Sequence, residues 1–242
     1  MKTAFFITSF NDPDSAAISM AQFGPMAKGC DLILSDQSTD PACIERYVEL
    51  CAMHGFRRIQ NENKGASEAK RRIVEIADAE DYTFMHQVSE DFELMPDGEQ
   101  HLAAPLGRDT FLEDATTLLD RFPHISFVHW TWFRSSVAWD HGYTWNDPPK
   151  DFQLSRISGV TLSFVSQNVC LMNWPYSGRV SELVNIAKQA KAIVPGCDTH
   201  QRQNELSGGE WARAFVSKGH GVALYAHPVR HRDRVKPVGS LG

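Results

Sequence analysis

No stretch of this chain is apolar for long enough to cross a bilayer. The short apolar run behind Met1 breaks at Asn11-Asp12-Pro13, too early for a secretory signal with its cleavage site. Cysteine is scarce and unpatterned: Cys30, Cys43, Cys51, Cys170 and Cys197 are odd in number and form no C-x-x-C pair. Neither a disulfide framework nor a zinc site is indicated, and a reducing compartment, the cytoplasm, is expected. A basic surplus is lacking too. With 24 Lys and Arg against 30 Asp and Glu, the formal charge is −6, which argues against a surface coated for nonspecific nucleic-acid binding but leaves room for a local basic groove. Low-complexity tracts, repeats and a clear linker are missing as well. What remains is a 242-residue chain, 42% apolar, able to bury the core of one large α/β domain.

The first hundred residues alternate between two periodicities. Thr3–Ser9 is a compact apolar run closed by turn residues and predicts a buried strand. A helix is expected over 15–28, a strand over 31–35, and a helix over 41–54 with Pro41 in its first turn and Gly55 behind it. Then follow a strand over 56–60, a helix over 67–79 and a strand over 82–88. This order is the signature of a parallel, doubly wound sheet, whose ligands bind outside the carboxyl ends of the strands. That rule selects the loops Ser9–Asp14, Ser35–Asp40, Asn61–Gly65 and Ser89–Glu93, all rich in Asp, Asn, Ser or Glu. Further on, helices are expected over 110–121, 181–192 and, interrupted at Gly208-Gly209, 199–218. Strands are expected over 124–130, 159–171 and 222–225, before a basic tail.

Three stretches carry a resemblance. ITSFNDPDSA lies at the first-strand loop, LILSDQSTDPACIERY holds a D-x-S-x-D turn, and IQNENKGASEAKRRIVEIA is followed by YTFMHQVSEDFELMP. In this order and spacing they resemble GT-A fold glycosyltransferases, particularly the inverting family-two group. Ser89 stands where that family has the first aspartate of D-x-D. The resemblance implies a GT-A (Rossmann-like) α/β domain with a central, mostly parallel sheet flanked by helices. Residues 1–98 would form the nucleotide-sugar-binding half, and 99–242 the acceptor-binding half with the basic tail.

It also implies a nucleotide-sugar donor, UDP-sugars favoured, held by Thr8, Ser9, Asn11, Asp36, Asn63, Lys64, Gly65, Lys70 and Glu90. A hard divalent cation, Mn²⁺ or Mg²⁺, would stabilise the charge growing on the diphosphate leaving group. Asp91 is its first candidate ligand, with Glu93 beside it. His231 resembles the late histidine of such sites, and an imidazole suits Mn²⁺ better than Mg²⁺. The plainer alternative for Ser89–Glu93 is a solvated turn, and for Asp40 a helix cap. Lys64-Gly65 precede a helix N-terminus, which offers backbone donors to phosphate. Inverting transfer needs a general base on the face opposite the leaving group, and Glu210, Glu205 and Asp198 compete for that role.

Residues 129–152 hold Trp130, Trp132, Trp139 and Trp145, whose faces stack on sugars or nucleobases and are candidates for acceptor binding; core packing is the alternative for each. The expected acceptor is a saccharide or small molecule. DNA is the alternative: a virus-type enzyme glycosylating a hydroxymethylated, flipped-out base, in the cytoplasm of an infected cell, with Arg202, Arg230, Arg232, Arg234 and Lys236 along a groove. A nucleotidyltransferase would call for a Gly-rich first loop, which SFNDPDSA lacks. A non-catalytic nucleotide-sugar-binding module is the reading of another class, kept open by Ser89.

Overall fold

The computed structural model describes residues 1–64, 66–94, 111–121, 123, 125–130, 152–157, 160–165, 175–193, 221–225 and 229–231. Its first half runs β1 (Thr3–Ser9), α1 (Pro13–Phe23), β2 (Asp31–Asp36), α2 (Pro41–His54), β3 (Arg57–Gln60), α3 (Ala66–Ala79), β4 (Phe84–Ser89) and β5 (Phe92–Leu94). Its second half adds α4 (Phe111–Arg121), β6 (Ile125–His129), β7 (Phe152–Ile157), β8 (Val160–Val165), β9 (Tyr176–Arg179), α5 (Val180–Ile193), β10 (Gly221–Tyr225) and β11 (Val229–His231). The expected helix over 199–218 lies outside the described residues.

Nine strands form one sheet in the order β3-β2-β1-β4-β9-β6-β10-β8-β7, so both halves of the chain build it. β3, β2, β1 and β4 pair in parallel. β9 runs against both β4 and β6, and β8 against β10 and β7, while β10 is parallel to β6. The sheet is therefore mostly parallel in direction, as the alternating pattern predicts.

Side-chain alternation splits β1 between two cores. Phe5 and Ile7 pack with Phe84, Val88 and apolar residues of α1, α2 and α4. Ala4 and Phe6 pack on the other face with Met85, Tyr176 and residues of α3 and α5. With both faces covered, β1 reads as a continuous apolar run rather than an alternating one.

Local signals set the helix bounds. Asp12 accepts a hydrogen bond from Ser15 N and Pro13 occupies the first turn, so α1 begins two residues before the expected start. It stops at Phe23 rather than continuing to Lys28, because Gly24-Pro25 interrupts it. The chain then turns on bonds from the Met26, Ala27 and Cys30 N–H groups. α2 has Asp40 as its cap and ends on Gly55 at φ 74, the left-handed position that glycine takes without a Cβ penalty.

The strands that sequence pattern misses are β5, β7, β9 and β11. β5 and β11 make a separate antiparallel ribbon, with Val229 opposite Leu94, Arg230 opposite Glu93 and His231 opposite Phe92.

Candidate functional site

The carboxyl ends of β1, β2, β3 and β4 form one edge of the sheet, and the polar loops meet there through hydrogen bonds. Asn11, at φ 52, sits in the left-handed region that Asn tolerates better than most residues. Its N–H donates to Ser38 Oγ at 2.8 Å, and its Oδ1 accepts from Thr39 N at 3.0 Å and Asp40 N at 3.1 Å. The first loop is thus tied to the second.

Asp36 is fully buried at the tip of β2. Its Oδ2 accepts from Arg58 Nε at 2.9 Å and Nη2 at 2.7 Å, and its Oδ1 accepts from Ser38 N at 2.8 Å. Gln60 Nε2 donates to Ser38 O, Asn61 N to Asp36 O, and Asn61 Nδ2 to Ser35 Oγ. Second and third loops are locked together in turn. Arg58, Gln60 and Asn61 carry this frame; Asn61 opens a loop that the sequence selects, whereas Arg58 and Gln60 were passed over, since only β2–β3 pairing brings Arg58 beside Asp36. Asn63 and Lys64 lie in the third loop, Lys64 exposed and paired with Glu62 at 2.8 Å. Gly65 falls outside the described residues.

The acid-rich end of β4 separates into different environments. Glu90 is buried, and its Oε2 accepts from Phe10 N at 2.8 Å and from the Tyr47 hydroxyl at 3.0 Å. Tyr47 also accepts from Asp12 N at 3.1 Å, and burial, together with the adjacent Glu90 charge, raises its hydroxyl pKa. Glu90 therefore fastens the first loop to α2 from below. Ser19 Oγ, 2.7 Å from the carbonyl oxygens of both Glu90 and Phe92, holds the chain as it leaves β4. Asp91 sits at the turn between β4 and β5, partly buried.

His231 comes back to this turn through the ribbon. Its register partner is Phe92, one residue past Asp91, while Glu93 stands opposite Arg230. In an antiparallel pair directly opposed residues share a face and neighbours alternate, so by register Arg230 falls on the face of Glu93 and His231 on the face of Phe92. Among the described residues no three His, Cys, Asp or Glu side chains form a ready-made metal cage. A magnesium-type site does not need one: it takes one or two carboxylates and completes its shell with substrate phosphates and water. Asp91, at the turn, is the carboxylate that could serve such a site.

On the α3 face of the same edge, Thr8 Oγ1 lies 3.4 Å from Ser89 Oγ and accepts from Gln87 Nε2 at 3.3 Å. Lys70, from the second turn of α3, is buried here, and desolvation holds its amine well below the ordinary lysine range. Ser9 points to the opposite face and is buried at the end of β1.

Trp130 is placed in the core. It has no exposed surface, its Nε1 donates to Ser177 Oγ at 2.7 Å, and its ring lies 6.2 Å from those of Phe5 and Phe23. That leaves it no free face for an acceptor. Trp132, Trp139 and Trp145, and the candidate bases Asp198, Glu205 and Glu210, lie outside the described residues, as do Arg202, Arg232, Arg234 and Lys236.

No family model matches the sequence, and no curated protein matches it. The fold is similar to that of many solved structures. One is a cytidylyltransferase from Leptospira borgpetersenii serovar Hardjo-bovis, with a TM-score of 0.50 and 12% identity over 96% of this chain and 78% of that one. Another is glucosyl-3-phosphoglycerate synthase from Mycobacterium tuberculosis, in complex with Mn²⁺, UDP and glucosyl-3-phosphoglycerate, with a TM-score of 0.52 and 13% identity over 96% of this chain and 72% of that one. A third is S. aureus TarS, with a TM-score of 0.52 and 13% identity over 96% of this chain and 37% of that one. At these identities the likeness is one of fold, a GT-A-like α/β sheet.

Proposed function

We propose that this chain is a glycosyltransferase that moves a sugar from a nucleotide-sugar donor, a UDP-sugar in the favoured case, to a hydroxyl of a saccharide or small-molecule acceptor. The carrying observation is the carboxyl edge of β1, β2, β3 and β4, where four polar loops are hydrogen-bonded into one frame. An edge of that kind, at the strand-order reversal of a doubly wound sheet, is where such folds receive a nucleotide.

In this reading the Asp36–Arg58 pair and the Asn11 bridge shape the floor under the base and ribose. Thr8, Asn63, Lys64 and the α3 N-terminus face the diphosphate, while Ser9 lies on the opposite face and Glu90 acts on the donor indirectly, by fixing Phe10. Asp91 and His231 would hold a divalent cation, which when bound offsets the charge growing on the leaving diphosphate. The acceptor hydroxyl loses its proton to Glu210, Glu205 or Asp198 as it attacks the anomeric carbon from the face opposite the leaving group, and inversion follows.

The test is a panel of UDP-, GDP-, ADP- and CMP-sugars with Mn²⁺ or Mg²⁺, reading release of the nucleotide. Slow release from one donor is expected, and Asp91→Ala should lower it at least about a hundredfold, the several kcal/mol that metal charge stabilisation supplies. Pyrophosphate released from a nucleoside triphosphate and a sugar phosphate would make the protein a nucleotidyltransferase instead. Tight binding of a donor without turnover would make it a binding module.

A further inference from the structure

Lys70 lies on the same face of α3 as Ile73, Val74 and Ala77, which pack in the core with Ala4, Phe6 and Met85. α3 crosses from the carboxyl end of β3 to the start of β4, so it runs against the strands. One helical turn back toward its N-terminus, about 5 Å, corresponds to roughly two strand residues. That brings Lys70 level with Thr8, Gln87 and Ser89, which alternate onto the face of Phe6 and Met85. Helical side chains lean toward the helix N-terminus, so the four-carbon stem of Lys70 carries its amine under the first turn of α3.

Three buried polar atoms on this face lack a hydrogen-bond partner among the described residues: Lys70 Nζ, Gln87 Oε1 and the Tyr176 hydroxyl. Gln87 and Tyr176 are register partners in β4 and β9. Buried polar groups are nearly always paired, and three orphans at one level of one face mark a place built for a polar ligand.

The surrounding charges leave the amine alone. On α3, Glu68 and Glu75 are taken by Arg71, and Arg72 reaches Glu75 and Asn61. β1 carries no titratable side chain. On β4, His86 belongs to the other face, as does Glu90 at its end, and Asp91 follows at the turn. Behind them Asp36 is held by Arg58, and Glu62 by Lys64. From β9 and α5 come Tyr176, whose burial keeps its hydroxyl protonated, and Glu182 and Lys188. Burial is the one influence acting on the amine, and the positive end of the α3 dipole adds to the cost of a cation there. A diphosphate arriving at that helix end would reverse both.

We propose that Lys70 is a proton-linked phosphate anchor: its amine, buried without a partner among the described residues, takes up a proton as the diphosphate of a nucleotide sugar binds over the α3 N-terminus. This rests on reading the edge as a nucleotide-sugar site. Nζ gains the proton from solvent, no bond to the ligand forms, and the ammonium donates to a phosphate oxygen. Protonation accompanies binding, so affinity falls as pH rises, by up to about tenfold per unit between the free and bound values of the amine.

The experiment is titration calorimetry with UDP-glucose, GDP-mannose and ADP-glucose, each with Mg²⁺, between pH 6.5 and 8.5 in buffers of different ionisation enthalpy. The diphosphate of these donors does not titrate in that range, so proton uptake reports the protein. The best binder should take up close to one proton and lose affinity steeply with pH. Lys70→Met, an apolar side chain of similar length, should bind weakly, with no uptake and a flat pH profile, while its melting curve shows it folded. Binding without proton uptake, or uptake unchanged in Lys70→Met, overturns the inference and leaves the glycosyltransferase reading standing. No binding of any of the three donors overturns both.

Discussion

Lowering the pH from 7.5 to 5 should destabilise this protein through His86, a residue with no place in the proposed chemistry. His86 is 1% exposed, and its Nδ1 lies 2.7 Å from Ser177 Oγ, which also accepts from Trp130 Nε1 at 2.7 Å. Its Nε2 faces Thr116 Oγ1 at 3.4 Å, and that hydroxyl donates to Leu112 O at 2.9 Å. The pattern assigns the tautomer. Thr116 has spent its proton on Leu112, so Nε2 carries the hydrogen, and Ser177 donates to Nδ1. A second proton would leave Nδ1–H facing the Ser177 hydrogen. Burial alone lowers the His86 pKa to about 3 from an ordinary 6.5.

The sign of the effect follows from that direction. The folded value lies below the unfolded one, so the unfolded chain binds the extra proton first. Stability is intact above about pH 6.5 and is lost progressively as pH falls toward 3. At pH 5, about 1.5 units below the unfolded value, the loss is about 2 kcal/mol. His86→Gln keeps one acceptor and one donor but cannot titrate. It should cost about 1–2 kcal/mol at neutral pH through poorer packing, and the gap to wild type should shrink by about 2 kcal/mol at pH 5. For a chain of this length that is a narrowing of about 4–8 °C in Tm. Thermal melts of both proteins from pH 5 to 7.5 measure it, and the other nine histidines cancel in the difference. Parallel pH curves, or the His86 imidazole itself titrating near 6.5 by NMR, would refute the reasoning.

Two further outcomes concern the frame beneath the site. Glu90→Ala leaves Phe10 N and the Tyr47 hydroxyl without their acceptor, so urea unfolding should show a loss of about 3 kcal/mol. Tyr47→Phe should cost about 1 kcal/mol, and the double variant less than the sum, since the two share one hydrogen bond. Additive losses would show that the carboxylate and hydroxyl do not act together. Asp36→Asn removes a charge-assisted acceptor from Arg58, itself partly exposed, and should cost about 2 kcal/mol in the same assay. An unchanged midpoint with lost nucleotide binding would instead make Asp36 a ligand contact and nothing more.

Legibility in the sequence followed the range of the interactions. β1, β2 and α2 were readable because their signals are local: an apolar run, a proline in the first turn, a glycine at the end. α1 was drawn too far, to 28, when Gly24-Pro25 ends it at Phe23. β9 was hidden because YSGR looks like a turn. Gly178 within it is required by a neighbour, for a Cβ there would come within 2.6 Å of Leu183 Cδ1, and only the packing of α5 reveals that. β5 and β11 are three residues each, and their pairing joins positions more than a hundred residues apart. Arg58 and Gln87 were missed for the same reason, since strand neighbours give them their roles.

The three acids that follow β4 show how neighbours in sequence take different places in the fold. Strand alternation sends Val88 and Glu90 to the α1 and α2 face, where a carboxylate without partners would be costly; Phe10 N and Tyr47 supply them. Asp91 lies at the turn, and Glu93 falls opposite Arg230 one step along the ribbon. A cluster of charge in sequence thus becomes a buried brace, a candidate ligand at the turn and a strand residue in register with Arg230. Ser89, a neutral hydroxyl at the end of β4, faces Thr8 on the side of Lys70. If the edge receives a diphosphate as proposed, a neutral hydroxyl there sets no charge against it, and one amine taking up a proton would go further toward balancing it.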